Sequence, residues 1–140
     1  MGEQLLLDTV YVQALLNRND QHYEKAVQLL PRVRAASRVF ITEAVLLEIG
    51  NCLSSIDHRK SAVKFIDGCY EKAERNLQVI AVDTELIRRA LKLFDDRPDK
   101  TWTVTDCISF LVMDDNHIEN AVTADAHFIQ ANFRALMLEE

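Results

Sequence analysis

Glycine, proline and cysteine are all scarce: three, two and three in 140 residues, with a single tryptophan. So little glycine and proline excludes a loop-rich or low-complexity chain and calls for long regular elements. Cys52, Cys69 and Cys107 are odd in number and have no close pairing. That speaks against a disulfide framework or a cysteine zinc site and fits a reducing compartment, with the thiols as small core residues. No apolar run approaches a membrane span, and Met1–Gln4 lacks the opening of a secretory leader. The expectation is a cytoplasmic protein with no membrane partner. His22 and His58 lack the helical spacing of a zinc-binding pair.

Positive charge is short as well. Sixteen Lys and Arg against 22 Asp and Glu leave a net charge of −6. That disfavours a general nucleic-acid binder, because phosphate contacts need cations. Two features keep RNA binding open. Basic residues are grouped in Arg32/Arg34/Arg38, His58-Arg59-Lys60 and Arg88-Arg89. A divalent cation held by clustered carboxylates would also invert the field around it.

What is present is a core. Hydrophobic residues make up 49% of the chain, enough for one compact domain over 1–140. Short apolar runs alternate with helical patterns. Strands are expected at Gln4–Leu7, Arg38–Ile41, Leu77–Val82 and Asn120–Thr123, with a fifth at Arg134–Leu138. Helices are expected over Thr9–Leu16, over Gln21–Ala36 with Asp20 as cap, after Thr42, after Asp57, from Asp83-Thr84, after a Thr105 cap, and after Asp125. Pro31 should bend or end the second helix. The alternation implies a three-layer α/β/α sandwich around a mainly parallel sheet of four to five strands.

Four acids lie at or just beyond the ends of apolar segments: Asp8 after Leu5-Leu6-Leu7, Glu48 past Val39–Thr42, Asp106 after Thr105, and Asp125 after Ala121–Ala124. Singly, each has a plainer reading. Asp8 and Asp125 suit helix caps, Asp106 suits a first helical turn, and Glu48 suits a solvated face. Glu48 nevertheless sits between Leu46-Leu47 and Ile49, a semi-buried context in which a charge needs a partner. In open parallel sheets, ligands bind beyond the carboxyl ends of the strands. Crowded carboxylates repel one another, and a hard divalent cation relieves the repulsion.

These blocks carry a resemblance over essentially the whole chain. They are Leu6-Leu7-Asp8-Thr9, Asn19-Asp20-Gln21-His22, Thr42-Glu43-Ala44-Val45-Leu46-Leu47-Glu48, Thr105-Asp106-Cys107-Ile108-Ser109-Phe110 and Thr123-Ala124-Asp125-Ala126-His127-Phe128. The chain resembles the PIN-domain nucleases and, among them, the VapC-type toxins of prokaryotic toxin–antitoxin pairs. The resemblance implies a Mg²⁺- or Mn²⁺-dependent endoribonuclease that hydrolyses RNA phosphodiester bonds, with Asp8, Glu48, Asp106 and Asp125 as metal ligands. Thr9 and Thr105 would orient carboxylates or water. Many relatives carry a further Asp or Asn two residues after the fourth acid, where this chain has His127. One tight ion is therefore expected, and His127 is a candidate phosphate contact or a surface histidine.

The resemblance also implies a homodimer and a groove for a cognate antitoxin. The apolar surplus on the helices around Tyr23–Val33 and Val63–Tyr70 suits such a face. The competing reading is a non-catalytic PIN-like module that binds RNA or protein. A phosphatase is disfavoured because the first strand is followed by Asp8-Thr9-Val10 and not Asp-x-Asp. Trp102 is expected to pack a loop, and Phe110 and Phe128 to lie in the core.

Overall fold

The computed structural model describes residues 2–140; Met1, the first residue of the leader reading, lies outside them. The elements run β1 (Gln4–Leu7), α1 (Thr9–Leu15), α2 (Tyr23–Ala35), β2 (Arg38–Thr42), α3 (Glu43–Cys52) and α4 (Arg59–Tyr70). They continue with β3 (Leu77–Ile80), α5 (Thr84–Asp96), α6 (Val104–Asp115), β4 (Asn120–Val122), α7 (Ala126–Gln130), β5 (Arg134–Ala135) and a 3₁₀ turn (Leu136–Leu138). No helix among the described residues is long and apolar enough to cross a membrane.

The five strands form one sheet in the order β3-β2-β1-β4-β5, and every pairing is parallel. Successive side chains of a strand point to opposite faces. Leu5, Leu7, Val39, Ile41 and Val122 therefore join one core with residues of α1 to α4. Leu6, Phe40 and Ala121 join the other with residues of α5, α6 and α7. This is the expected three-layer sandwich. The chain winds from β1 outward to β3, then crosses to β4 and β5 on the other side of β1. The direction reverses between β1 and β4, which is where open parallel sheets place ligands.

Several local expectations need correction. Pro31 lies inside α2 without ending it. Pro31 and Val27, four residues earlier, both face solvent, so water can serve the carbonyl that the missing N–H leaves free. Asp20 does not cap α2; its carboxylate accepts from the amide of His22, the cap residue just before the helix starts at Tyr23, at 2.8 Å. Asp57 does not cap α4 either, since His58 holds that position. The cap of α6 is Thr103, not Thr105. The last segment makes only a two-residue strand before turning into the 3₁₀ turn. Cys69 and Cys107 are buried as expected, but Cys52 is exposed.

The apolar surface of α5 differs in detail from a simple reading. Leu86 and Ala90 pack inward, while Ile87, Leu91 and Phe94 stay 40–47% exposed along one stripe.

Candidate metal centre

Asp8 is the first residue past β1, and parallel pairing brings it beside the end of β4. The Asp8 amide donates to the Val122 carbonyl at 3.3 Å. Asp8 occupies the cap position of α1, yet its side chain makes no cap hydrogen bond. Its Oδ2 instead accepts from the Thr123 hydroxyl at 2.7 Å. Thr123 Oγ1 also accepts from the Asp125 amide at 3.1 Å, so one buried threonine ties two acids together.

Asp106 is on the first turn of α6, in a reciprocal cap with Thr103. Thr103 Oγ1 accepts from the Asp106 amide at 3.0 Å, and Asp106 Oδ2 accepts from the Thr103 amide at 3.0 Å. The arrangement satisfies two amides that the helix would otherwise leave unpaired and fixes the carboxylate at the positive end of the helix dipole. Asp125 caps α7, its Oδ1 accepting from the His127 amide at 2.9 Å. Here the plain capping reading and the site reading hold together. Glu48 reaches in from the second turn of α3, where its Oε1 accepts from the Thr9 hydroxyl at 2.6 Å. The Thr9 hydroxyl thereby fixes one oxygen of this carboxylate. Thr105 lies in the first turn of α6 and makes no side-chain hydrogen bond among the described residues. Thr103 and Thr123 do the orienting instead.

His127 is half-buried, with its side chain 24% exposed. Its Nδ1 lies 2.9 Å from Asp106 Oδ2 and 3.3 Å from Asp125 Oδ1. Its Nε2 is 3.0 Å from Thr101 Oγ1. Asp106, Asp125 and His127 each offer a ligand atom, and the three atoms lie within 4.8 Å of one another. Asp8 and Glu48 sit outside this tight trio but within its field: both the Asp106 and the Glu48 charges raise the pKa of Asp8.

Aromatic packing holds the two halves of the trio in place. Phe110 of α6 meets Trp102 and Phe128 edge to face, each at 5.0 Å between centroids, and stacks on Phe133 at 5.7 Å. Trp102 Nε1 donates to Gln130 Oε1 at 3.1 Å. Trp102 is therefore the packed loop aromatic that the sequence suggested, and it anchors α6 to α7.

The electrostatics are those of a site short of positive charge. Asp8 is only 5% exposed, and its pKa is raised from 3.8 to about 7. Burial is the main cause; the Thr123 hydroxyl and the Thr9 amide oppose it, and the neighbouring charges of Asp106 and Glu48 add to it. Among the described residues no lysine or arginine pairs with Asp8, Glu48, Asp106 or Asp125. Three arginines of the sequence's basic groups are engaged elsewhere: Arg32 with Glu3, Arg34 with Glu74, Arg89 with Asp115. Buried charges are paired or coordinate metals, and carboxylate oxygens with an imidazole are a donor set that divalent cations take. The residues present fit such an ion. Burial pushes the Cys69 and Cys107 thiols up to about 11, and burial together with the Glu48 charge raises that of exposed Cys52.

Thr123, Thr103 and Thr101 are the partners that sequence reasoning missed. Thr123 and Thr103 lie two and three residues before Asp125 and Asp106 at a strand or helix boundary, whereas Thr101 lies 26 residues from His127 and carries no local signal.

A second concave feature lies on the other face of the sheet. A cavity of about 440 Å³ opens between α1, α2 and α4, walled by Tyr11, Leu15, Leu30, Val33, Phe65 and Leu77.

Comparison with known proteins adds three findings. The family model described as PIN domain matches residues 5–134. No curated protein sequence matches the chain. Among solved structures, it is similar to Mycobacterium tuberculosis VapC20, a toxin that cleaves the sarcin-ricin loop. The two superpose with a TM-score of 0.81 at 23% identity, over 93% of this chain and 96% of that one.

Proposed function

The chain belongs to the PIN domain family, and on that premise we propose that it is a metal-dependent endoribonuclease, the toxin of a type II toxin–antitoxin pair. It acts as one nuclease domain over residues 1–140, in the cytoplasm and as a homodimer. The observation that carries the reading is the trio Asp106, Asp125 and His127, whose ligand atoms lie within 4.8 Å of one another, with Asp8 and Glu48 in its field and no lysine or arginine paired with these acids among the described residues. A non-catalytic module has no use for that arrangement, since the buried Asp8 carboxylate costs stability unless something positive joins it.

Asp106 and Asp125 would hold a Mg²⁺ or Mn²⁺ ion, with Asp8 and Glu48 as further ligands, direct or through water. The chemistry supplied by a bound divalent cation is polarisation of a phosphoryl oxygen, activation of water and neutralisation of developing negative charge. The chain's own residues prepare the place for it. Thr123 and Thr9 lock the Asp8 and Glu48 carboxylates in one orientation. The Thr103 amide holds the Asp106 carboxylate in place at the amino end of α6. Fixing the acids before substrate arrives spares the reaction the reorganisation that water would demand.

An RNA substrate is supported by the fold shared with VapC20, a sarcin-ricin loop cleaving toxin, which makes ribosomal RNA the first substrate to try. The apolar cavity between α1, α2 and α4 supports an antitoxin segment with bulky apolar side chains. The exposed stripe of Ile87, Leu91 and Phe94 on α5 supports the dimer. The experiment is cleavage of purified ribosomal and transfer RNA followed by mapping of the ends. Cleavage at discrete positions in Mn²⁺ or Mg²⁺, abolished by EDTA and by Asp106→Asn, is the expected result. Cleavage that survives both overturns the assignment.

A further inference from the structure

We propose that His127 is itself a ligand, donating Nδ1 to the cation held by Asp106 and Asp125, and that this nitrogen biases the site toward transition-metal ions over Mg²⁺. The inference rests on the cation-site reading above and deepens it.

The geometry carries it. Atoms at adjacent vertices around an ion with bonds of about 2.1 Å stand about 3 Å apart. His127 Nδ1 stands 2.9 Å from Asp106 Oδ2 and 3.3 Å from Asp125 Oδ1. The imidazole nitrogen already occupies a ligand's place relative to two carboxylates. The far side of the ring is fixed as a metal-binding histidine needs. Without an ion Nδ1–H donates to Asp106; when a cation takes the place of that hydrogen, Thr101 Oγ1, 3.0 Å from Nε2, can accept the proton moved to Nε2, which frees the Nδ1 lone pair for the ion. The backbone contributes too: the His127 amide donates to Asp125 Oδ1, so residues 125 and 127 are locked into one turn that presents both side chains to the same point. The ring is two-thirds or more withdrawn from solvent, with its side chain 24% exposed.

The chemical consequence follows from ligand type. Carboxylates and water suit Mg²⁺, whereas imidazole suits first-row transition ions. A site of acids alone discriminates weakly between Mg²⁺ and Mn²⁺; one with a built-in imidazole favours Mn²⁺ and, more strongly, Co²⁺. The competing role is a tether, in which His127 only hydrogen-bonds the two acids and takes no part in coordination.

Pulsed electron paramagnetic resonance on the intact protein loaded with Mn²⁺ separates the two. A directly bound imidazole gives nitrogen hyperfine coupling that changes when histidine is ¹⁵N-labelled and disappears in His127→Ala. Calorimetry with Co²⁺ and Mg²⁺ gives a second reading. His127→Ala should weaken Co²⁺ by about 10- to 100-fold, the scale known even for the outer partners of ligands, and weaken Mg²⁺ much less. Mn²⁺ bound without any nitrogen coupling overturns the ligand role and leaves the nuclease reading intact. No Mn²⁺ bound to the wild-type protein at all overturns both. Because the labelled wild-type protein reports the coupling by itself, a variant that folds poorly does not rescue the proposal.

Discussion

Asp8→Asn should make the metal-free protein more stable above pH 7 while removing an acid that the proposed reaction needs. In the folded chain Asp8 holds its proton up to a pKa of about 7, against 3.8 ordinarily, chiefly because it is buried. Below about pH 4 the carboxyl is neutral in both folded and unfolded chains, and the shift has no effect. As the pH rises from there, the unfolded chain loses this proton first, so folding loses stability until the folded pKa is passed. The full penalty above pH 7 is about 4 kcal/mol. Asparagine removes that penalty and keeps an oxygen for the Thr123 hydroxyl, but it buries an NH₂ group at a cost of about 1–3 kcal/mol. The variant should therefore be about 1–3 kcal/mol more stable than wild type at pH 8 and less stable by a similar amount at pH 4. Urea unfolding in EDTA at both pH values measures the difference, and titration of the other acids largely cancels between the two proteins. Adding Mn²⁺ should then shrink the variant's advantage at pH 8, since an ion at 100 times its dissociation constant stabilises by about 2.7 kcal/mol and the variant holds it less well. A stability difference that is the same at pH 4 and pH 8 would refute the reasoning.

Other outcomes follow from single contacts. Thr123→Val removes the hydroxyl that joins Asp8 to Asp125, and Mn²⁺ affinity measured by calorimetry should drop about 10- to 100-fold; an unchanged affinity would mean that this link does not orient the acids. Thr103→Ala breaks the reciprocal cap on α6 and should cost about 1 kcal/mol in chemical denaturation. Ser109 is fully buried and its hydroxyl has no hydrogen-bond partner. Ser109→Ala should leave stability unchanged or raise it by about 1 kcal/mol, and a clear loss on thermal unfolding would contradict that.

The sheet was legible because its signal is strong and local. Leu5-Leu6-Leu7, Val39-Phe40-Ile41 and Ala121-Val122 are continuous apolar runs, as strands buried on both faces must be. Asp8 and Asp125 were legible because each closely follows such a run, whereas Glu48 and Asp106 sit on α3 and α6 and have no such marker. The caps were less so. Thr103 and Thr105 are two threonines flanking one valine ahead of Asp106, and only the reciprocal bond with an acid three residues on selects Thr103. His127 was visible as a departure, but its contacts to Asp106 and Thr101 join residues 21 and 26 positions apart. Such contacts depend on how α6 packs against α7, which the aromatic cluster around Phe110 decides. The outward stripe on α5 was obscured for a similar reason: Leu86 and Ile87 are equally apolar, and only tertiary packing chooses which one faces the sheet.

Anomalous diffraction at the manganese edge, from crystals grown with Mn²⁺, addresses the central claim most directly. The account predicts a strong peak at the β1–β4 switch point, bonded to Asp106 and Asp125 and reached by Asp8 and Glu48 directly or through one water. A fully occupied ion elsewhere on the surface, with these four acids bare, would contradict it.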